Sequence, residues 1–174
     1  MQYEELMAES AMADVRLVAI TPPGQGGRPA LDDDSVENYA QLISELAAHL
    51  GCDAVVGFSM GGAFALSIAA LVPEVRACVS FYGAPWPGTV DLSKIRARVL
   101  GHYVQVDHHV SPERLAQVEA ELRSADTPFT LHRYDAQHSF FNEQIDGVYS
   151  AEASALAWER TIAFLNEALG EDRR

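Results

Sequence analysis

Three side-chain types that together activate a hydroxyl occur in a workable order: Ser59, Asp107 and His138. A serine hydroxyl alone is a poor nucleophile. It needs a base within hydrogen-bond reach and a third group to orient that base. Ser59 stands in Gly57-Phe58-Ser59-Met60-Gly61, a G-x-S-x-G pattern. The bare pattern arises by chance in roughly one in twenty chains of this length, so its surroundings carry the weight. Ala54 to Phe58 is an apolar run of strand length that reads as buried, and Ala63 to Ala70 is small, apolar and helix-forming. Strand, sharp turn and helix are the context that makes such a serine a nucleophile. The turn strains the serine backbone, and side chains two residues before and after are expected to collide, which accounts for Gly57 and Gly61. The Met60 amide, first in the helix, then offers a donor where the helix terminus favours negative charge.

The elements around this turn must bring a base and an acid to it. Val15–Ile20 predicts a strand, closed by the breakers of Thr21-Pro22-Pro23-Gly24-Gln25-Gly26-Gly27. Residues 2–12 have weak helical character. Val36, Tyr39, Ile43, Leu46 and Leu50, spaced three and four apart, predict a helix capped by Asp32 to Ser35 and closed by Gly51. Further strands are expected at Val75–Phe81, Arg98–Val104 and Phe129–Tyr134. Ser111-Pro112-Glu113 opens a helix with Leu115, Val118 and Leu122 on its buried side. A last helix runs from Ser150 to Gly170 with Trp158, Ile162, Leu165 and Leu169 on one face. The alternation implies an α/β fold: one domain over residues 1–174, a mostly parallel sheet of about five strands, and helices on both faces.

On such a sheet the acid and base belong in loops at the carboxyl ends of later strands, in the order Ser, acid, His. Asp107 follows the strand ending near Val104, and His138 follows the strand ending at Tyr134. Asp126 precedes its strand, at the wrong end, and Asp135 reads as a turn aspartate. His49 falls on a helix, while His102 and His132 fall within strands. His108 and His109 adjoin Asp107 too closely to be its partner and read as loop or pocket-wall residues. Phe58, Met60, Trp86, His108 and Phe140 are candidate pocket walls that could equally be core. The six histidines lack metal-ligand spacing, so no metal is expected.

Composition narrows the classes. Twelve Lys and Arg against 25 Asp and Glu give a net charge of −13, which argues against nucleic acid and anionic membrane as partners. The N-terminus lacks the basic start and apolar core of a signal peptide, and Cys52 and Cys78 read as small core residues in a reducing compartment. A cytoplasmic location is therefore expected.

At these residues the chain resembles the α/β-hydrolases, and from the turn onward it is similar to the dienelactone hydrolase family. The resemblance rests on Gly57 to Gly62, Phe81-Tyr82-Gly83, Gly101-His102-Tyr103 through Asp107, Tyr134 through Asn142, and Ala157 to Arg160. It implies a triad at Ser59, Asp107 and His138. The family usually carries cysteine as nucleophile, where this chain has Ser59, so a serine esterase is the more natural expectation. The family also begins with about three more strands, and the loop after the third supplies its second oxyanion-hole amide.

Without that third strand, Val15–Ile20 is expected to be completed by another subunit, to belong to a truncated reading frame, or to pair directly with the Ala54–Phe58 strand. In the last case an amide from Gly24 to Gly27 would reach Ser59 as the replacement donor. Thin helical cover on one sheet face points to a homodimer. The chain thus reads as a shortened α/β-hydrolase fold. The function it implies is a serine hydrolase of a small ester, thioester or lactone that needs no cofactor. The rivals are a catalytically idle remnant that binds a ligand or partner, and an acyl transferase.

Overall fold

The computed structural model describes Ser10 and residues 16–24 and 27–170. Four strands, β1 (Ala54–Phe58), β2 (Ala77–Phe81), β3 (Arg98–Val104) and β4 (Phe129–Tyr134), form one sheet in the order β1-β2-β3-β4. All neighbours are parallel, with Phe58 beside Phe81, Phe81 beside His102, and His102 beside His132. Every strand therefore ends at the same edge, where the loops carrying Ser59, Asp107 and His138 emerge.

The helices follow their sequence signals. In α1 (Val36–Leu50), the Ser35 side chain accepts from the Asn38 amide, and Gly51 at φ 63° closes the helix onto Ala47 and Ala48. Helix α2 (Met60–Leu71) buries nine successive residues, Gly62 to Ala70, so it is a core helix apolar all round. Helix α3 (Pro112–Ser124) starts on a Ser111 cap and buries Leu115, Val118 and Leu122, as its spacing predicts. A short 3₁₀ turn, Leu92–Lys94, precedes β3. Helix α4 (Ala151–Gly170) buries Ala153, Ala157, Thr161, Leu165 and Ala168. The expected stripe is thus displaced: Leu165 is buried, while Trp158, Ile162 and Leu169 lie half-buried on its flank.

Alternating strand residues feed two cores. Cys78 and Val99 face α1, α2 and α3, whereas Ala77, Val79, Phe81 and Leu100 face α4 as the one helix among the described residues, with Leu17, Phe140 and Phe141 in the same cluster. The thin cover expected on one face is present among the described residues.

The front of the chain departs from expectation. Val15 lies outside the described residues, as do residues 2–9, 11 and 12 of the weak helical stretch and Gln25 and Gly26 of the breaker run. Arg16 to Ile20 form no strand. Leu17 packs beside Ala54 on the α4-side core, and the Arg16 guanidinium donates to the Leu50 carbonyl. The β-prone run Arg16-Leu17-Val18-Ala19-Ile20 makes no ladder, and Val18 and Ile20 are exposed; β propensity is realised only against a neighbour that takes its hydrogen bonds. Direct pairing with β1 is corrected on this ground. Among the described residues the sheet has four strands rather than about five, and β1 is its edge. The middle of β1, expected to be buried, is accordingly exposed at Val56.

Between the sheet and α4 runs a buried polar chain whose direction can be read. Thr161 donates to the Ala157 carbonyl at 2.9 Å and so accepts from His102 Nε2–H at 3.0 Å. His102 Nδ1 then accepts from the Tyr134 hydroxyl at 2.8 Å, whose oxygen accepts from Arg160 at 3.1 Å. Every link is satisfied by a neutral imidazole. Burial, reinforced by the nearby charges of His132 and Arg160, pushes His102 down to about 3. An unfolded imidazole titrates near ~6.5, so acid adds a proton to the unfolded chain before the folded one. Stability is therefore complete above about pH 6.5 and lost as pH falls toward about 3. Urea unfolding across this range should show that slope, and in His102→Gln it should be shallower by about one proton. An unchanged slope would contradict the assignment.

Candidate active site

The site is built on backbone contact. Ser59 sits between β1 and α2 at φ 53°, ψ −119°, a conformation L-residues rarely adopt. Such strain costs on the order of 1–3 kcal/mol and persists only where surrounding structure over-determines it. Here the Ser59 amide donates to Phe81 O at 2.9 Å, and the Ser59 carbonyl accepts from the Gly62 and Ala63 amides. The serine side chain makes no cap bond to its own helix. Its hydroxyl is left for chemistry.

Glycines allow this approach, although not the pair expected. A Cβ on Gly57 would lie 1.9 Å from Gly61 O, so Gly57 is required as the sequence implies. A Cβ on Gly61 would meet nothing within 4 Å. The expected collision at Gly61 is corrected: its backbone is what Gly57 abuts, and its missing side chain frees no space. The other tight positions are Gly62, whose Cβ would fall 2.7 Å from Ser80 Oγ, and Gly83, whose Cβ would fall 2.2 Å from Ser59 O. Ser80 and Tyr103 both donate to Gly83 O, at 2.9 and 2.8 Å, which pins the turn after β2 against the β1–α2 turn that carries Ser59, the nucleophile elbow of the strand–turn–helix pattern. Burial pushes the Tyr103 phenol up, so it stays a donor. Sequence reasoning gave Gly62 and Gly83 no role; the doubled glycine and the Tyr82-Gly83 step were the available signals.

Loops after β3 and β4 supply the remaining groups. Asp107 and His138 meet with His138 Nδ1 2.9 Å from Asp107 Oδ2 and 3.1 Å from Oδ1. A carboxylate only accepts, so Nδ1 carries the proton, and the bare Nε2 faces Ser59 Oγ at 2.9 Å. Asp107 Oδ1 also accepts from the His109 and Val110 amides at 2.7 and 3.2 Å. These bonds fix the carboxylate before the imidazole meets it, and its side chain is only 4% exposed against 15% for His138. The His138 ring is held between Tyr82, at 5.0 Å, and His109, at 4.4 Å between ring centroids. His109, rather than the candidate His108, lies against His138; His108 is exposed.

The other candidates separate by burial. Phe140 is fully buried against Tyr82 and Tyr134, and Phe58 is buried against Phe81 and Phe141. Both are core beneath the site, not walls of it. Met60 and Trp86 are exposed. As the first residue of α2, Met60 has an amide with no acceptor within its own helix. Gly24 is different: its amide donates to Pro29 O at 2.9 Å, and its neighbours are Tyr39 and Ala30. That N–H is already engaged, so Gly24 is corrected as an oxyanion donor. Among the described residues no three His, Cys, Asp or Glu side chains are grouped to hold a metal ion. No helix among them is long and apolar enough to cross a membrane.

A parallel sheet bearing its serine at a strand–helix turn defines an α/β hydrolase, and solved structures share that fold. A dienelactone hydrolase-like promiscuous phosphotriesterase from metagenomic libraries matches with TM-score 0.64 and 27% identity, over 76% of this chain and 61% of that one. An α/β hydrolase from a Medee basin deep-sea metagenome library, 19% identical with TM-score 0.59 over 81% of this chain and 67% of that one, supports the fold alone. The chain belongs to the dienelactone hydrolase family, whose model matches residues 31–169. It is 30% identical over 166 residues to a carboxymethylenebutenolidase of Rhodococcus opacus, covering 86% of this chain and 65% of that protein. A carboxymethylenebutenolidase of Pseudomonas sp. (strain P51) is 29% identical over 137 residues, covering 76% and 56%. The chain thus spans about three-fifths of the length of these relatives.

The glycine geometry predicts a ranked outcome. Gly57→Ala and Gly62→Ala should each destabilise by about 1–3 kcal/mol or more, as overpacking does, and abolish reactivity of Ser59. Gly61→Ala should fold with stability within about 1 kcal/mol of the parent. Thermal melts of the three variants check this; a Gly61→Ala as damaging as Gly57→Ala would contradict it.

Proposed function

We propose that this domain is a serine hydrolase that cleaves a small ester, thioester or lactone through an acyl-enzyme on Ser59. The observation that carries the reading is one continuous hydrogen-bonded line, Ser59 Oγ to His138 Nε2 at 2.9 Å and His138 Nδ1 to Asp107 Oδ2 at 2.9 Å. Its three members come from loops after three different strands of one sheet. Membership of the dienelactone hydrolase family and relatives named carboxymethylenebutenolidase support the same chemistry.

The steps follow from the geometry. Ser59 Oγ attacks the carbonyl carbon as its proton passes to His138 Nε2, and Asp107 stabilises the imidazolium. The oxygen of the tetrahedral intermediate gains negative charge beside the Met60 amide at the N-terminus of α2. Collapse breaks the bond to the leaving group, which takes the proton from His138, leaving an acyl ester on Ser59. Water then gives its proton to His138 and attacks that ester. Ser59 recovers the proton as the acid departs. No step requires a cofactor, and the partner is a small-molecule substrate.

Turnover of an activated ester by the purified chain tests this. Ser59→Ala and His138→Ala should each lower kcat/KM by about 10³-fold or more, and Asp107→Asn by about 10⁴-fold, because the wrong tautomer then faces the serine. Turnover that survives Ser59→Ala would contradict the Ser59 assignment, and none in the folded parent would favour an idle binding domain.

A further inference from the structure

Four stretches, residues 59–60, 82–91, 105–111 and 135–150, leave the carboxyl ends of the strands at the sheet edge that carries Ser59. Each carries a large apolar side chain exposed to solvent. Met60 follows β1 and is 47% exposed; Trp86 follows β2 at 48%; Val106 follows β3 at 72%. Ile145 and Tyr149 follow β4 and are also exposed. Single exposed apolar residues are ordinary, but a set gathered on one rim marks a surface meant to be covered.

The charges of the same rim are one-sided. Those four stretches contain no Lys or Arg, and beyond Asp107, which is buried against His138, they carry Asp91, Asp135, Glu143 and Asp146. Arg114 reaches the rim from α3, where its Nε donates to Pro85 O at 2.7 Å and its Nη1 to Gln117 Oε1 at 3.2 Å, with Glu121 at 3.5 Å. Arg28, on the segment entering α1, is outnumbered by Asp32, Asp33 and Asp34. Recognition of a carboxylate or phosphate calls for a forked guanidinium or an ammonium. Among the described residues these four stretches themselves offer neither, and the one guanidinium that reaches them, from Arg114, lies beside Glu121.

We infer that the site takes uncharged esters with an apolar acyl group, and that it discriminates against anionic ones, including carboxylate-bearing lactones. This rests on the serine-hydrolase reading above and adds the substrate class to it. Met60, Trp86 and Val106 cover the acyl chain, and the acidic rim repels a second negative charge while leaving a neutral carbonyl free to approach Ser59.

The test is a matched set of 4-nitrophenyl esters at about pH 8: valerate and hexanoate against the hemiglutarate and hemiadipate monoesters of similar length. The expected kcat/KM favours the neutral member of each pair by about tenfold or more. Added salt should narrow the gap by screening the rim, and Trp86→Lys should narrow it at low salt. Equal or faster turnover of the anionic esters, insensitive to salt, would overturn the substrate class while leaving the hydrolase reading intact. Hydrolysis of neither series, together with no labelling of Ser59 by a fluorophosphonate, would overturn both.

Discussion

Everything in the site depends on how closely three backbone segments approach one another. The end of β1, the first turn of α2 and the turn after β2 meet at Gly57, Gly62 and Gly83, where a Cβ would lie 2.7 Å or less from its neighbour. That contact is one of close approach to oxygen atoms of Gly61, Ser80 and Ser59. It holds Ser59 at positive φ by leaving the chain nowhere else to go. The strain is offset by bonds around it, from Ser59 N–H to Phe81 O and from Ser80 and Tyr103 to Gly83 O. The Ser59 backbone is thereby set by packing, independently of Asp107 and His138.

The parallel sheet does the rest by direction alone. Because β1, β2, β3 and β4 all point the same way, their carboxyl ends deliver Ser59, a supporting turn, Asp107 and His138 to one edge. The two cores beneath have different tasks. The core on the α1–α3 side clamps α2 and with it the elbow. The core facing α4 carries Phe58, Tyr82, Tyr134 and Phe140, and this aromatic layer supports the loop that bears His138.

Most of this frame was legible because local signals and tertiary structure agree. The strands at Ala54–Phe58, Arg98–Val104 and Phe129–Tyr134, the α1 caps and the α3 stripe all lie where residue pattern puts them. The loop positions of Asp107 and His138 follow from strand ends, and the structure brings both to Ser59. What failed did so for physical reasons. Arg16 to Ile20 has β-type residues but no partner strand to accept its hydrogen bonds. Along α4 the buried line runs through alanines and Thr161, because small residues fit close against the sheet and Thr161 meets His102; large apolar residues such as Trp158 and Ile162 drew the eye to the flank. Gly24 promised a flexible donor, yet its amide closes a turn onto Pro29. Phe58 and Phe140 are adjacent to the chemistry in sequence but point into the core, since an aromatic ring beside a strand end is as useful for packing as for binding.

The central claim is that Ser59, held by this packing and facing His138, is a reactive nucleophile. The measurement that tests it most directly is the intact mass of the purified, folded chain after exposure to a fluorophosphonate, alongside Ser59→Ala. The account predicts a single adduct on the parent and none on the variant. A folded parent that takes no adduct, or a variant that still does, would contradict it.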